Sequence, residues 1–550
     1  MTDAETDICE WQSGLPCVAE WNVKGFPLAW HVQQLKAGHR FLPSLFLPQS
    51  DEASNPATFD RYMAGSLDAL RYLSSYGVPV CLRMANIGQA FYDLPAYRVP
   101  VKPENLARSP LVWSLKGDKL DDQRQTDTFA SPGFWGIEGT ALGTAQYMRM
   151  LTSAILSPPW ISFVENNEAA YDKPHWYFDN MTAEELSYKD PEEIDALSVR
   201  AGKRLNRIVS PSDFIDEMAE RRAAQYEAFH AAFERELPPE WRDRTYTACY
   251  HKPDLRYPTT TRGDVDRIGY LPELLRADGA SIDNYVAMNQ SHDFTSPDHL
   301  KISNMIPAWN QQRQKNPRAY RELSLTLGSK AAIQGAIEGR HEPITPALFE
   351  CYIHWLLWTI REPGVPVILR HWCGSSVRPT DPFFPDDLRQ QYPALTCDAT
   401  TEEYIAPIMR AVDRICDDAT LRYFWLGGRP ITLVGGSLPT DSLRRAAGLP
   451  PYPDPHGPDA RRRHLRCNVN GPESEWSWDA GRQRFNGTVK VWAVATKRDD
   501  GYLLYAWSPC KLEGNITVTI PDAGDVEIDA PSPSGYWLLS AAGLRAKRLT

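Results

Sequence analysis

Two short stretches carry carboxylates where buried strands should present them. Trp160-Ile161-Ser162-Phe163-Val164 is rich in β-branched and aromatic side chains and reads as a short buried strand, and Glu165-Asn166-Asn167-Glu168 follows at once. Tyr320-Arg321-Glu322-Leu323-Ser324-Leu325-Thr326-Leu327 reads as a second strand with an apolar far half and Glu322 embedded in it. Carboxylates are seldom buried without a partner, so Glu322 needs either an ion pair with a nearby Arg or a chemical role. Two carboxyl groups with separate tasks, one a proton donor and one a nucleophile, are what retaining cleavage of a glycosidic bond requires. They would stand about 5–5.5 Å apart across the scissile bond. The Asn-Glu pair also reads, without any chemistry, as a polar strand-to-helix turn with a helix-capping Asn.

The elements that must position these groups alternate along the chain. Strand starts fall at Cys17, Phe41, Val78, Trp160, Thr245, Ile282, Tyr320 and Val365. Between them lie amphipathic helices. One runs from Pro56 to Ser75 with Phe59, Met63, Leu67, Leu70 and Leu73 at helical spacing, and is closed by Gly77. Others are read near Thr140 to Leu156 and, strongly apolar, from Leu348 to Ile360. About eight strands alternating with helices predict an α/β fold, a (β/α)8 TIM barrel over residues 1–448; an open doubly wound sheet is the alternative. Residues 92–132 read as a long loop. Residues 182–240 read as a charged helical insertion with a long helix from Ser212 to Glu236. A Pro-rich and basic segment occupies 449–487. Period-two alternation from Thr488 onward predicts a small antiparallel β-sandwich over 488–550.

Composition narrows the function. The 550-residue chain carries a net charge of −11, which argues against nucleic acid or an anionic membrane as partner. No apolar run reaches the roughly 18 residues of a membrane span. Met1-Thr2-Asp3-Ala4-Glu5-Thr6-Asp7 has neither a basic nor an apolar leader region, so a cytoplasmic setting is expected as the sequence stands; a secreted chain that had lost its leader would read the same. Ten cysteines are scattered without a CxxC, most inside apolar runs, which favours a reducing compartment. His292, Asp293, Asp298 and His299 share one loop but lack HExxH-type spacing, and there is no GxSxG elbow or phosphate-binding glycine loop. No metal or organic cofactor is implied. Aromatic residues make up 11% of the chain, a mild sign of a sugar-binding cleft.

An Asn-Glu pair closing the fourth strand of a barrel, with a second Glu on the seventh, resembles the clan A retaining glycoside hydrolases. In general look the chain is similar to their polysaccharide-degrading, agarase-like members. The resemblance implies that Glu168 is the acid/base, that Asn167 holds the sugar 2-hydroxyl and that Glu322 is the nucleophile. It further implies that Arg83 supports the nucleophile and that Tyr285 contacts it. Two features depart from the pattern: Ala169 stands where the family has Pro, and Glu165 is a rival acid. Trp21, Asn22, Asn86, His251, His371 and Trp372 stand at strand ends and read as cleft walls, with His175-Trp176 close after the acid; each also reads as a structural residue. The expected function is hydrolysis of a β-linked polysaccharide or oligosaccharide by double displacement. A non-catalytic carbohydrate-binding protein and a polysaccharide lyase are the alternatives.

Overall fold

The structure is a computed structural model. It describes residues 10–20, 27–46, 56–85, 98–100, 128–130, 160–166, 237–251, 275–284, 309–325, 346–371 and 398–431, with isolated positions from 227 to 235 and at 306. In the C-terminal part it describes 467–469, 476–479, 484–487, 491–499, 501–507, 514–520, 524–540 and 546–549.

Eight strands, one of them in two pieces, make one all-parallel sheet. They are β1 (Pro16–Glu20), β2 in two pieces (Phe41–Leu42 and Ser44–Phe46), β3 (Val80–Ala85), β4 (Trp160–Asn166), β5 (Thr245–His251), β6 (Gly279–Asn284), β7 (Tyr320–Leu325) and β8 (Val367–His371). From Phe41–Leu42 the hydrogen-bonded path runs through β1, β8, β7, β6, β5, β4 and β3 to Ser44–Phe46. Its two ends are thus adjoining pieces of β2, parted by Pro43, which has no N–H to give to a ladder. The Pro43 carbonyl still accepts from Cys81 N at 2.8 Å. All eight expected strands are present, and the Asn166 end and Glu322 fall on the fourth and seventh of them.

Each strand has two faces of period two. On one face Cys17, Leu42, Cys81, Ile161, Phe163, Tyr246, Tyr320 and Ile368 form a single buried cluster. On the other, Val18, Phe41, Leu323, Leu325, Val367 and Leu369 pack with the helices. Trp11, from the turn before β1, joins the first cluster and meets Tyr246 edge-on with ring centres 5.3 Å apart. Phe163 and Tyr320 (5.2 Å) and Tyr246 and Tyr320 (5.8 Å) complete an aromatic plug near the N-terminal ends of the strands. Gly279 makes room for it: a Cβ there would lie 2.3 Å from Cζ of Tyr320. The plug leaves the C-terminal ends of the strands as the side where a site can open.

Helices α1 (Leu28–Lys36), α2 (Pro56–Ser75), α3 (Pro239–Arg242), α4 (Pro346–Ile360), α5 (Asp398–Asp417) and α6 (Ala419–Gly427) accompany the sheet. Gly77, at φ +68°, ends α2 in the left-handed conformation, and Val78 N bonds back to the Leu73 carbonyl at 3.1 Å. The expected helix near 140–156 and nearly all of the expected insertion at 182–240 lie outside the described residues. Within 92–132, Arg98–Pro100 and Thr128–Ala130 pair as an antiparallel ribbon.

The C-terminal strands form antiparallel sheets. β9 (Arg429–Ile431), β11 (Val491–Arg498), β12 (Gly501–Trp507), β15 (Ser534–Ser540) and β16 (Ala546–Leu549) lie side by side, and β10 (Cys467–Val469) also pairs with β11. The hairpin of β13 (Asn515–Ile520) and β14 (Gly524–Asp529) covers one face through Val518, Ile520, Val526 and Ile528. The other face, with Val494, Leu503, Tyr505 and Trp507, packs on α4. Helix α4 is strongly apolar and buried all round from Cys351 to Ile360, because it is covered on both sides, by the parallel sheet and by the C-terminal sheet. Tyr536 anchors the junction: its hydroxyl accepts from Trp358 Nε1 at 2.9 Å and lies 2.7 Å from Nδ1 of His354.

Candidate active site

Three charged side chains meet on the plugged face of the parallel sheet. Period two on β7 puts Glu322 on the face of Tyr320, one pleat closer to the C-terminal end. Arg83 follows Cys81 on β3 in the same way, and Arg370 follows Ile368 on β8. All three are fully buried, at 0% exposure. Arg83 Nη1 lies 3.2 Å from Oε1 and 3.3 Å from Oε2 of Glu322, and Arg83 Nη2 lies 3.2 Å from Oε2. This is the two-pronged grip that a guanidinium makes on a carboxylate. Arg370 Nε approaches Oε1 at 2.8 Å as an ion pair, although its N–H does not point along that line.

The contact between Arg83 and Glu322 also reports the shape of the sheet. β3 and β7 are four steps apart on the ladder, through β4, β5 and β6. At about 4.8 Å per step a flat sheet would hold them roughly 19 Å apart. The observed contact requires the sheet to curl until this face looks inward. Below the triplet, Arg83 stacks over the Phe163 ring, with its guanidinium carbon 4.8 Å from the ring centre.

Cys17, on β1, carries a thiol within electrostatic range of Arg83 and Glu322. Burial above all, and then the Cys81 thiol, pushes its proton affinity well above the ordinary thiol range. It therefore stays a protonated thiol and packs as a small hydrophobe. His230 and His354 are buried and held neutral, each pushed down to about 3 by burial. Helix α4 places His354 against the C-terminal sheet, away from the triplet.

Of the residues singled out in the sequence, the structure brings together Glu322 and Arg83. His251 and His371 are the last residues of β5 and β8, in register with Ile282 and Glu20 respectively. Trp21, Asn22, Asn86, Asn167 and Tyr285 come within two positions after a strand's last residue, and Trp372 directly follows β8. These six, with Glu168, His175, Trp176 and the His292–His299 loop, lie outside the described residues. Glu165 is in β4, in register with Ala85 and Ala248.

Sequence reasoning did not place Arg370 on Glu322. The available signal was its position: the fourth residue of the buried strand Val367-Ile368-Leu369-Arg370-His371, on the same pleat face as Ile368. A guanidinium there needs an anion from inside the fold, just as Glu322 needs a cation.

No family model and no curated protein matches the sequence. Solved structures similar to it include a GH30 endoxylanase from Clostridium papyrosolvens C71, with 9% identity and a TM-score of 0.35 over 96% of this chain and 94% of that one. A noncanonic maltogenic alpha-amylase from Thermotoga neapolitana shares 10% identity, with a TM-score of 0.35 over 97% and 98% of the two chains. An isomaltulose synthase from Protaminobacter rubrum shares 12%, with a TM-score of 0.35 over 93% and 92%. Likeness at this level carries no argument about activity, which rests on the residues themselves. Among the described residues no helix is long and apolar enough to cross a membrane.

Proposed function

We propose that the parallel sheet is the inner wall of a (β/α)8 barrel and that the protein is a retaining glycoside hydrolase acting on a β-linked polysaccharide or oligosaccharide. The observation that carries this reading is Glu322, held on the inward face of the seventh strand by the two-pronged grip of Arg83 from the third. A nucleophilic carboxylate must be ionised, oriented and shielded from competing water. Guanidinium neighbours and burial among aromatic rings supply those conditions.

In this reading Glu168 protonates the glycosidic oxygen as the bond from C1 to that oxygen breaks. A Glu322 oxygen bonds to C1 through an oxocarbenium-like transition state. Water then attacks C1 and gives its proton to Glu168, and the C1–Oε bond breaks to return Glu322 as a carboxylate. Asn167 would hold the 2-hydroxyl and Tyr285 would contact the nucleophile. Trp21, Asn22, Asn86, His251, His371 and Trp372 would line the cleft at the strand ends. Residues 182–240 would form a helical insertion into the barrel.

The deciding experiment is covalent trapping. Mono- and disaccharide 2-deoxy-2-fluoroglycosyl fluorides of the gluco, galacto and xylo series are incubated with the protein, and the adduct is located by peptide mass spectrometry. Label on Glu322 is the expected result. Label on another carboxylate would overturn the nucleophile assignment, and no label with any probe would overturn the retaining mechanism. The complete burial of Glu322 favours a second reading, in which the triplet is only a core charge network of a carbohydrate-binding protein. That reading predicts sugar binding with no adduct.

A further inference from the structure

We propose that Arg370 is a positioning residue that assists the second half of the reaction, the release of Glu322 from the glycosyl-enzyme; this rests on the reading of Glu322 as nucleophile. Arg370 comes from β8, next to β7 in the sheet, and its Nε stands 2.8 Å from Oε1 of Glu322. The same oxygen is 3.2 Å from Arg83 Nη1, so two guanidiniums converge on one carboxylate oxygen. Both are at 0% exposure, where charges are screened least.

The charge on Glu322 changes in opposite senses in the two steps. When an Oε–C1 bond forms and the C1–leaving-oxygen bond breaks, the carboxylate becomes a neutral ester and both cations lose their anion. When water bonds to C1 and the C1–Oε bond breaks, the electron pair returns to Glu322 and the anion is restored between them. A cation at Oε1 therefore stabilises the free carboxylate before the first step and the departing carboxylate in the second. One guanidinium is enough to hold the carboxylate ionised and aimed, and Arg83 already grips both oxygens. The contribution of the second falls where negative charge is developing, in ester cleavage. Loss of Arg370 should then slow release of the sugar from Glu322 and leave formation of the adduct as fast or faster.

The test uses the full-length protein, its Arg370→Gln and Arg370→Lys variants, and the fluoroglycosyl fluoride that labels the wild type. Intact-protein mass spectrometry follows formation of the adduct and, after removal of excess probe, its decay. In Arg370→Gln, decay should slow about ten- to a hundredfold, the scale of removing one buried cation from the carboxylate it faces, while formation is not slowed. Arg370→Lys keeps the charge and should slow decay less; it also decides the matter if the Gln variant does not fold. Equal slowing of formation and decay, or unchanged decay, in a folded variant would overturn the inference and leave the nucleophile assignment standing. Absence of any adduct on wild-type Glu322 would overturn both.

Discussion

Replacing Glu322 with Ala should unfold the protein more readily as well as silence it, and the size of the effect follows from the geometry. The carboxylate sits between Arg83 and Arg370, and all three side chains are fully buried. Removing it leaves two guanidiniums that had shared Oε1 facing each other in the interior of the sheet. Breaking a single buried ion pair costs about 3–5 kcal/mol. Here two pairs are broken and a like-charge contact is created, so the loss should reach at least the upper part of that range. Against a typical stability of about 5–15 kcal/mol this is a large fraction. The assay is urea unfolding followed by Trp fluorescence, on the wild type, Glu322→Ala and a triple variant with Arg83→Met, Glu322→Leu and Arg370→Met. The triple variant removes every charge and restores apolar volume, so it should recover most of the loss while remaining inactive. A Glu322→Ala protein within about 1 kcal/mol of wild type would refute the buried triplet, since no buried charge can lose its partner so cheaply. An Ala variant therefore does not report on catalysis alone. Glu322→Gln, which keeps the shape and an acceptor oxygen, is the better probe of the nucleophile.

Two other outcomes follow from the structure. His230 and His354 stay neutral down to about pH 3 in the fold but bind protons near 6.5 when unfolded, so the unfolded state takes up more protons between those values. Stability is then fully present above pH 6.5 and should fall by about 2 kcal/mol per histidine on going to pH 5, at 1.36 kcal/mol per pH unit. Urea midpoints at pH 7 and pH 5 measure it, and His354→Gln should remove one histidine's share; an unchanged acid sensitivity in that variant would contradict the assignment. Gly279→Ala places a Cβ 2.3 Å from the Tyr320 ring and should destabilise the protein by about 1–3 kcal/mol or more through overpacking. Adding Tyr320→Leu should recover part of that loss in the same unfolding assay, and equal stability of the single variant and wild type would show that the ring moves freely.

Much of the architecture was legible because its signals are local. Apolar runs at Trp160 and Val365, helical spacing from Phe59 to Leu73 and a glycine at position 77 each report on a few neighbouring residues. The backbone preferences there agree with the tertiary answer. The strands at Phe41 and near Ile282 are present too, the latter beginning three residues earlier, at Gly279. There the chain gives up a side chain so that Tyr320 can lie across it. The sequence alone also marked Glu322 as anomalous, because a carboxylate inside an apolar strand demands a partner.

The residue pattern by itself could not say which partner, and Arg83 entered only through the resemblance to the clan A hydrolases. Arg83 is 239 residues away in the chain, and local spacing carries no information about a contact of that range. Only the parallel pairing of the strands, and the curl that brings β3 across to β7, decided that Arg83 and Arg370 would meet on one carboxylate. The same holds for α4, whose strongly apolar run showed that it would be buried without showing that a second sheet would cover it through Tyr536. Local chemistry determined which residues could not face water. The tertiary fold decided which of them face one another, because the charges and rings that must be satisfied lie on strands that are distant along the chain.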